Sequence, residues 1–153
     1  MVGSMRKNSI KKTCAFCNII NKNEDAHIVY EDDISLAFLD IRPIFYGHTL
    51  IVPKKHIETI YDLEDSISKK FISNIKYVGK AVEIATKSEG TLIIVNNVVS
   101  QSVPHLHMHI IPRKFGDGLR GFMWPRKLYE SEEHISLVLE NIKKELEKSD
   151  PYS

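Results

Sequence analysis

Three of the seven histidines in the chain occupy alternate positions in the segment Pro104-His105-Leu106-His107-Met108-His109-Ile110-Ile111-Pro112. Alternation of polar and apolar residues running into Ile-Ile predicts a β-strand with one buried face. Residues two apart on such a strand point the same way, about 6.5 Å apart along it. His105, His107 and His109 are therefore expected on one surface, with Leu106, Met108 and Ile110 turned into a core. A row of imidazoles can bind metal, move protons, attack an electrophile or hold an anion. One histidine on a strand face carries no such implication. Three in register do, because Thr, Lys or Glu would solvate that face equally well.

Cys14-x-x-Cys17 is the only cysteine pair. In a chain read as intracellular, this spacing suggests metal or a redox dithiol rather than a structural disulfide. A thioredoxin-like site needs the pair just after a strand in a βαβ unit, and no strand is expected before Cys14. Structural zinc takes four ligands, commonly two thiolates and two imidazoles. Candidate imidazoles are the strand histidines and His56; two free structural cysteines are the alternative. A single zinc held by all three strand histidines is awkward, since His105 and His109 would lie about 13 Å apart along a flat strand.

The elements that must position these groups are readable from periodicity. Residues 15–22 suit a short helix. Strands are expected at 27–31 and 34–40 around the Glu31-Asp32-Asp33 turn, and at 48–53 after Gly47. Ile67, Phe71, Ile75, Val78, Val82 and Ala85 recur in steps of three and four, which predicts one long amphipathic helix over 66–87. A strand at 91–95 and the histidine strand follow. Residues 115–130, with three glycines and Trp124-Pro125, suit an ordered loop, and Ile135, Val138, Ile142 and Leu146 mark a C-terminal helix. Strands gathered around one long helix without βαβ alternation give an α+β class.

At 153 residues the chain suits one domain, placed at 14–148 between a tail at 1–13 and another at 149–153. No apolar run approaches the roughly 20 residues that span a bilayer, and the N-terminus lacks the apolar core of a signal peptide, so a cytoplasmic location is expected. The net charge of +1 offers no argument for nucleic acid or membrane. Arg6, Lys7, Lys11 and Lys12 make the first thirteen residues basic, which is read as a flexible, soluble end.

The run His105-Leu-His107-Met-His109-Ile-Ile resembles the HxHxHxx motif of the histidine triad (HIT) superfamily. The resemblance spans roughly residues 14–125. It takes in Cys14-Ala-Phe-Cys17-Asn-Ile-Ile20, Val29-Tyr-Glu-Asp-Asp33, Leu36-Ala-Phe-Leu-Asp-Ile41, Gly47-His-Thr-Leu-Ile-Val-Pro-Lys-Lys-His56 and Gln101-Ser102-Val103. It implies a five-stranded antiparallel sheet with helices and a homodimer with one continuous sheet. It also implies binding of a purine nucleotide of AMP type and cleavage at the α-phosphorus through a nucleotidyl-histidine. By matched position His107 is then the nucleophile, and His109 bonds the phosphate or leaving group. His48 is a further active-site histidine, and Ser102 and Gln101 are donors to phosphate oxygens. Asp40 would hold the ribose, Phe16, Ile19, Phe38 and Ile41 would wall the base, and Asn96 is the better match to a substrate-contacting asparagine. In zinc-containing bacterial-type relatives the ligand positions correspond to Cys14, Cys17, His56 and His105, which implies a structural Zn2+ with no open coordination position.

The resemblance leaves the leaving group open between an amine, in Hint-type phosphoramidases, and a second nucleotide, in dinucleoside polyphosphate hydrolases. Arg113, Lys114 and Arg126 favour the polyphosphate. His109 argues against the transferase branch, which has glutamine there, and the absence of cysteine after Cys17 argues against the DNA-adenylate-repair branch. A nucleotide-binding scaffold with little catalysis is the reading from another functional class. Asn96-Asn97-Val98-Val99-Ser100 departs from the Hint-type pattern in being shorter and lacking glycine.

Overall fold

A computed structural model of the chain describes residues 14–119 and 126–148. The proposed tails at 1–13 and 149–153, and Trp124, lie outside the described residues. The chain divides into two compact units at Gly116 and Asp117. The first holds α1 (Ala15–Ile20), β1 (Ile28–Glu31), β2 (Ser35–Leu39), β3 (Thr49–Pro53), a 3-10 turn (Ile60–Asp62), α2 (Asp65–Ala85), β4 (Gly90–Val95) and β5 (Met108–Arg113). The second holds α3 (Glu132–Lys148), whose first turn is capped by the Ser131 hydroxyl accepting from His134 N–H. No described helix is long and apolar enough to cross a membrane.

The five strands form one antiparallel sheet in the order β1-β2-β3-β5-β4, so the α+β expectation holds. Alternation sends Ala37, Ile51, Met108 and Ile110 to one face, where Phe71, Ile75, Val78 and Val82 of α2 close the core. Leu36, Phe38, Leu50 and Val52 point to the opposite face, against Cys14, Phe16 and Cys17 of the α1 segment. The β1-β2 turn is fixed by Asp32, whose carboxylate accepts from Ile34 N–H, Ser35 N–H and the Tyr30 hydroxyl. Asn74 on α2 donates to Asp32 and to the Ser35 hydroxyl, tying helix to hairpin.

The histidine segment departs from its predicted form. β5 begins at Met108, so His105 and His107 precede the regular strand. β3 pairs with β5 only over Thr49–Ile51, and Pro53 has no N–H to offer a ladder. Leu106 N–H donates instead to the carbonyl of Ile57. Side-chain alternation nevertheless continues, with Leu106 and Met108 in the α2-side core.

Candidate active site and metal centre

Backbone carbonyls choose the tautomers of two of the three histidines. His107 is buried, and its Nδ1 lies 2.7 Å from the carbonyl of His105, to which it donates. A neutral imidazole has one N–H, so Nε2 keeps a free lone pair. His105, fully buried, donates from Nε2 to the Pro53 carbonyl at 2.8 Å, which leaves its Nδ1 as the acceptor or ligand atom. Burial pushes His105 down to about 4; the Pro53 carbonyl opposes this and His56 and His107 add to it.

A backbone N–H sets the third. Ile44 N–H donates to Nδ1 of His48 at 3.1 Å, so His48 carries its proton on Nε2. That Nε2 lies 2.9 Å from Nδ1 of His109, which must accept, leaving the His109 proton on its own Nε2. Burial lowers His48 against the pull of Asp40. Burial, with His107 and His48, brings His109 down to about 4, again opposed by Asp40. Both rings are therefore neutral near pH 7. The sheet face thus offers a lone pair on His107 and, with ring centroids 5.0 Å away, a neutral donor on His109.

The loop ahead of β3 holds His48 in place. His48 N–H donates to Phe45 O, and Asp40 N–H donates to His48 O. Gly47 has φ +97°, and a Cβ there would meet the Thr86 methyl at 2.5 Å. Gly47→Ala is expected to cost about 1–3 kcal/mol, through left-handed backbone and collision with the end of α2. The urea midpoint should fall accordingly; an unchanged midpoint would mean the loop yields freely.

The remaining expected site residues are placed as follows. Asp40 sits 3.7 Å from His48 Nε2, and its other oxygen accepts from Arg42 N–H. Phe16 packs edge-on to His107 and Phe38, at centroid distances of 5.0 and 5.4 Å. Phe38 and Leu50 pair in register, as do Leu50 and His109, so these three share one row across the sheet. Ile19 packs on the α1-side core, whereas Ile41 is 82% exposed. Ser102 is exposed. Gln101 spans its loop, donating to the Glu58 carbonyl and accepting from Val98 N–H. β4 ends at Val95, which pairs with Met108, and Asn96 follows directly, its side-chain amide donating to the Ser100 carbonyl. Asn97 is engaged elsewhere, accepting from Ile60 N–H. Arg113 lies six residues beyond His107, which a strand converts to about 20 Å.

On the same face, Cys14, Cys17, His56 and His105 converge, all four ligand atoms within 4.8 Å of one another. His105 Nδ1 lies 3.4 Å from Cys14 Sγ, 3.6 Å from Cys17 Sγ and 3.2 Å from His56 Nδ1, and Cys17 Sγ lies 3.2 Å from His56 Nδ1. Bonds of about 2.3 Å to sulfur and 2.0–2.1 Å to nitrogen would set tetrahedral ligand atoms about 3.3–3.8 Å apart. The donor set fits such an ion in type and spacing. Sequence reasoning identified the four side chains but not the Pro53 carbonyl that turns His105 toward them. His105 and His109 belong to separate clusters.

The sheet order, the alternating histidines and the neighbouring Cys/His cluster define a histidine-based site on an antiparallel α+β scaffold. The HIT domain matches residues 21–116. The chain is 49% identical over 109 residues to a HIT-like protein of Methanocaldococcus jannaschii, covering 69% of this chain and 82% of that one. The chain belongs to the HIT family. It is 35% identical over 119 residues to an adenylylsulfatase of Arabidopsis thaliana, 76% of this chain and 60% of that one. With an adenosine 5′-monophosphoramidase of Schizosaccharomyces pombe it shares 34% over 115 residues, 74% and 84% of the two chains. The crystal structure of a HIT family member from Bacillus subtilis superposes with a TM-score of 0.75 at 36% identity, over 86% of this chain and 96% of that one.

Proposed function

We propose that the protein hydrolyses adenine nucleotides at the α-phosphorus, with a small leaving group such as an amine, through a nucleotidyl intermediate on His107. The observation that carries this reading is the 2.7 Å bond from His107 Nδ1–H to the His105 carbonyl, which aims an unprotonated Nε2 away from the backbone. That lone pair attacks phosphorus and forms a P–N bond as the bond to the leaving group breaks. The leaving nitrogen takes up one proton. Water then attacks the phosphorus, freeing His107 and AMP and returning one proton, so the two steps balance. His109 donates from Nε2 to the phosphate side as charge develops. Asp40 is assigned to the ribose, Phe16, Ile19, Phe38 and Ile41 to the base, and Ser102, Gln101 and Asn96 to the phosphate approach.

The names of the phosphoramidase and adenylylsulfatase relatives support a small leaving group. Arg113, about 20 Å along the strand from His107, does not by itself argue for a polyphosphate. A structural zinc is proposed at Cys14, Cys17, His56 and His105, where it would tie α1 to the catalytic strand. A homodimer is proposed across β4, which stands at one end of the sheet order.

The test is AMP release, by chromatography, from adenosine 5′-phosphoramidate, adenylyl sulfate and diadenosine tetraphosphate. Turnover of one of the first two, well above the third, is expected. Folded protein that binds AMP yet releases none from any of them would replace this reading with a nucleotide-binding role.

A further inference from the structure

Of the four side chains in the Cys/His cluster, Cys14, Cys17 and His105 are buried and His56 is exposed. A small solute therefore reaches the cluster from the His56 side. Cys17 Sγ is the sulfur on that side, 3.2 Å from His56 Nδ1, whereas Cys14 Sγ lies 3.4 Å from Nδ1 of the buried His105. The two sulfurs are within 4.8 Å of each other. Cys14 caps α1, and its Sγ turns back over the first turn to accept from Cys17 N–H at 3.4 Å. Joining the sulfurs thus asks for side-chain rotation within one helical turn. The chain has no other cysteine, so oxidation has a single intramolecular disulfide open to it.

Phe16 stands between the two cysteines in sequence, and its ring packs edge-on to His107, Phe38 and His105 at centroid distances of 5.0, 5.4 and 6.0 Å. α1 has six residues, too few to hold a helix alone in water. Its anchors are the apolar packing against Leu36, Phe38, Leu50 and Val52 and the polar cluster shared with His56 and His105. Drawing the two sulfurs away from the imidazoles removes the second anchor, and the loss falls on the segment whose phenyl ring touches His107.

We propose that Cys14 and Cys17 form a peroxide-sensitive switch: oxidation joins them as a disulfide, releases the ion that the cluster holds, and loosens α1, with Phe16, from the histidine face. This rests on the zinc and nucleotide readings of the two clusters. The Cys17 thiolate attacks one peroxide oxygen; the O–O bond breaks, the sulfur becomes a sulfenic acid, and the departing hydroxide takes up a proton as water. The Cys14 thiolate then attacks that sulfur; an S–S bond forms, the S–O bond breaks, and a second hydroxide leaves and takes up a proton. Each sulfur gives up one electron and the peroxide gains two. Thiolates are what hold a metal ion, so the disulfide leaves two imidazoles where four ligands stood.

The test treats reduced, zinc-loaded protein with a slight excess of hydrogen peroxide. Alkylation and mass spectrometry read the disulfide, and a chromogenic chelator reads released zinc. Hydrogen exchange follows Asn18 and Asn21 N–H, which donate to the carbonyls of Cys14 and Cys17, and calorimetry follows AMP. One disulfide and one released ion per chain are expected, with faster exchange at both amides and the α2 amides unmoved. AMP affinity should fall by about three- to tenfold, the scale of one lost aromatic contact. Dithiothreitol with added zinc should restore all four readouts. Thiols that stay alkylatable, zinc that stays bound, or a disulfide that leaves α1 exchange and AMP affinity unchanged overturns the switch. Reduced protein that carries no zinc overturns the metal reading and the switch together. Reduced protein that carries zinc but binds no AMP overturns the nucleotide reading alone, and the disulfide, zinc and exchange readouts still decide the switch.

Discussion

His107→Ala is expected to lower AMP release from adenosine 5′-phosphoramidate by a factor on the order of 10⁴ or more, the scale seen when a covalent nucleophile is removed. The expectation follows from where the protons sit. His107 spends its one N–H on the His105 carbonyl, so its other nitrogen is the lone pair facing substrate. His109 spends its lone pair on His48, so it offers only a proton and cannot substitute. His109→Ala should accordingly lose a donor and not the pathway, a deficit of about 10²–10³. Alkaline quenching of wild-type turnover with labelled substrate should leave the nucleotide on the protein, and His107→Ala should carry none. The variant is expected to retain AMP binding and a cooperative melt, with a modest Tm loss from the unpaired carbonyl. Residual activity within tenfold of wild type, or label retained without His107, would move the nucleophile elsewhere.

The pattern of side chains brought the candidate site into view, whereas the hydrogen bonds around its histidines were hidden. Alternation at His105, His107 and His109 named one face correctly because period two is geometric and survives where the ladder stops. It could not place the start of β5 at Met108, which depends on how far β3 can pair before Pro53. Nor could it assign tautomers, since the groups that choose them are main-chain: the carbonyls of Pro53 and His105 and the N–H of Ile44. Periodicity has no view of backbone polar atoms. Asn96 was the better match of two adjacent asparagines, and their hydrogen bonds now tell them apart: Asn96 donates to the Ser100 carbonyl, whereas Asn97 accepts from Ile60 N–H. The left-handed Val98 runs against its own preference, so no propensity argument could have found it.

Removal of the metal-ligand cluster is expected to act on stability more than on chemistry. Cys17→Ser should abolish copurifying zinc, expected at one ion per chain, and should lower Tm by about 8–16 °C. That figure takes a ligand held at 1,000 times its Kd, worth about 4 kcal/mol, and about 2–4 °C per kcal/mol for a domain of this size. Chelation of the wild type should reproduce the shift, and re-addition of zinc should reverse it in the wild type but not in the variant. The cluster joins the segment entering α1, the chain after β3 and the residue two before His107, and α1 packs only the face opposite α2. The α2-side core should therefore persist, giving a destabilised fold and not an unfolded chain. His109→Ala distinguishes this centre from one shared by all three histidines: His109 lies in the separate cluster with His48 and Asp40, so its loss should leave zinc content unchanged. Protein that purifies without metal, and melts alike with and without Cys17, would make the pair simple buried thiols and leave His105 held by the Pro53 carbonyl alone.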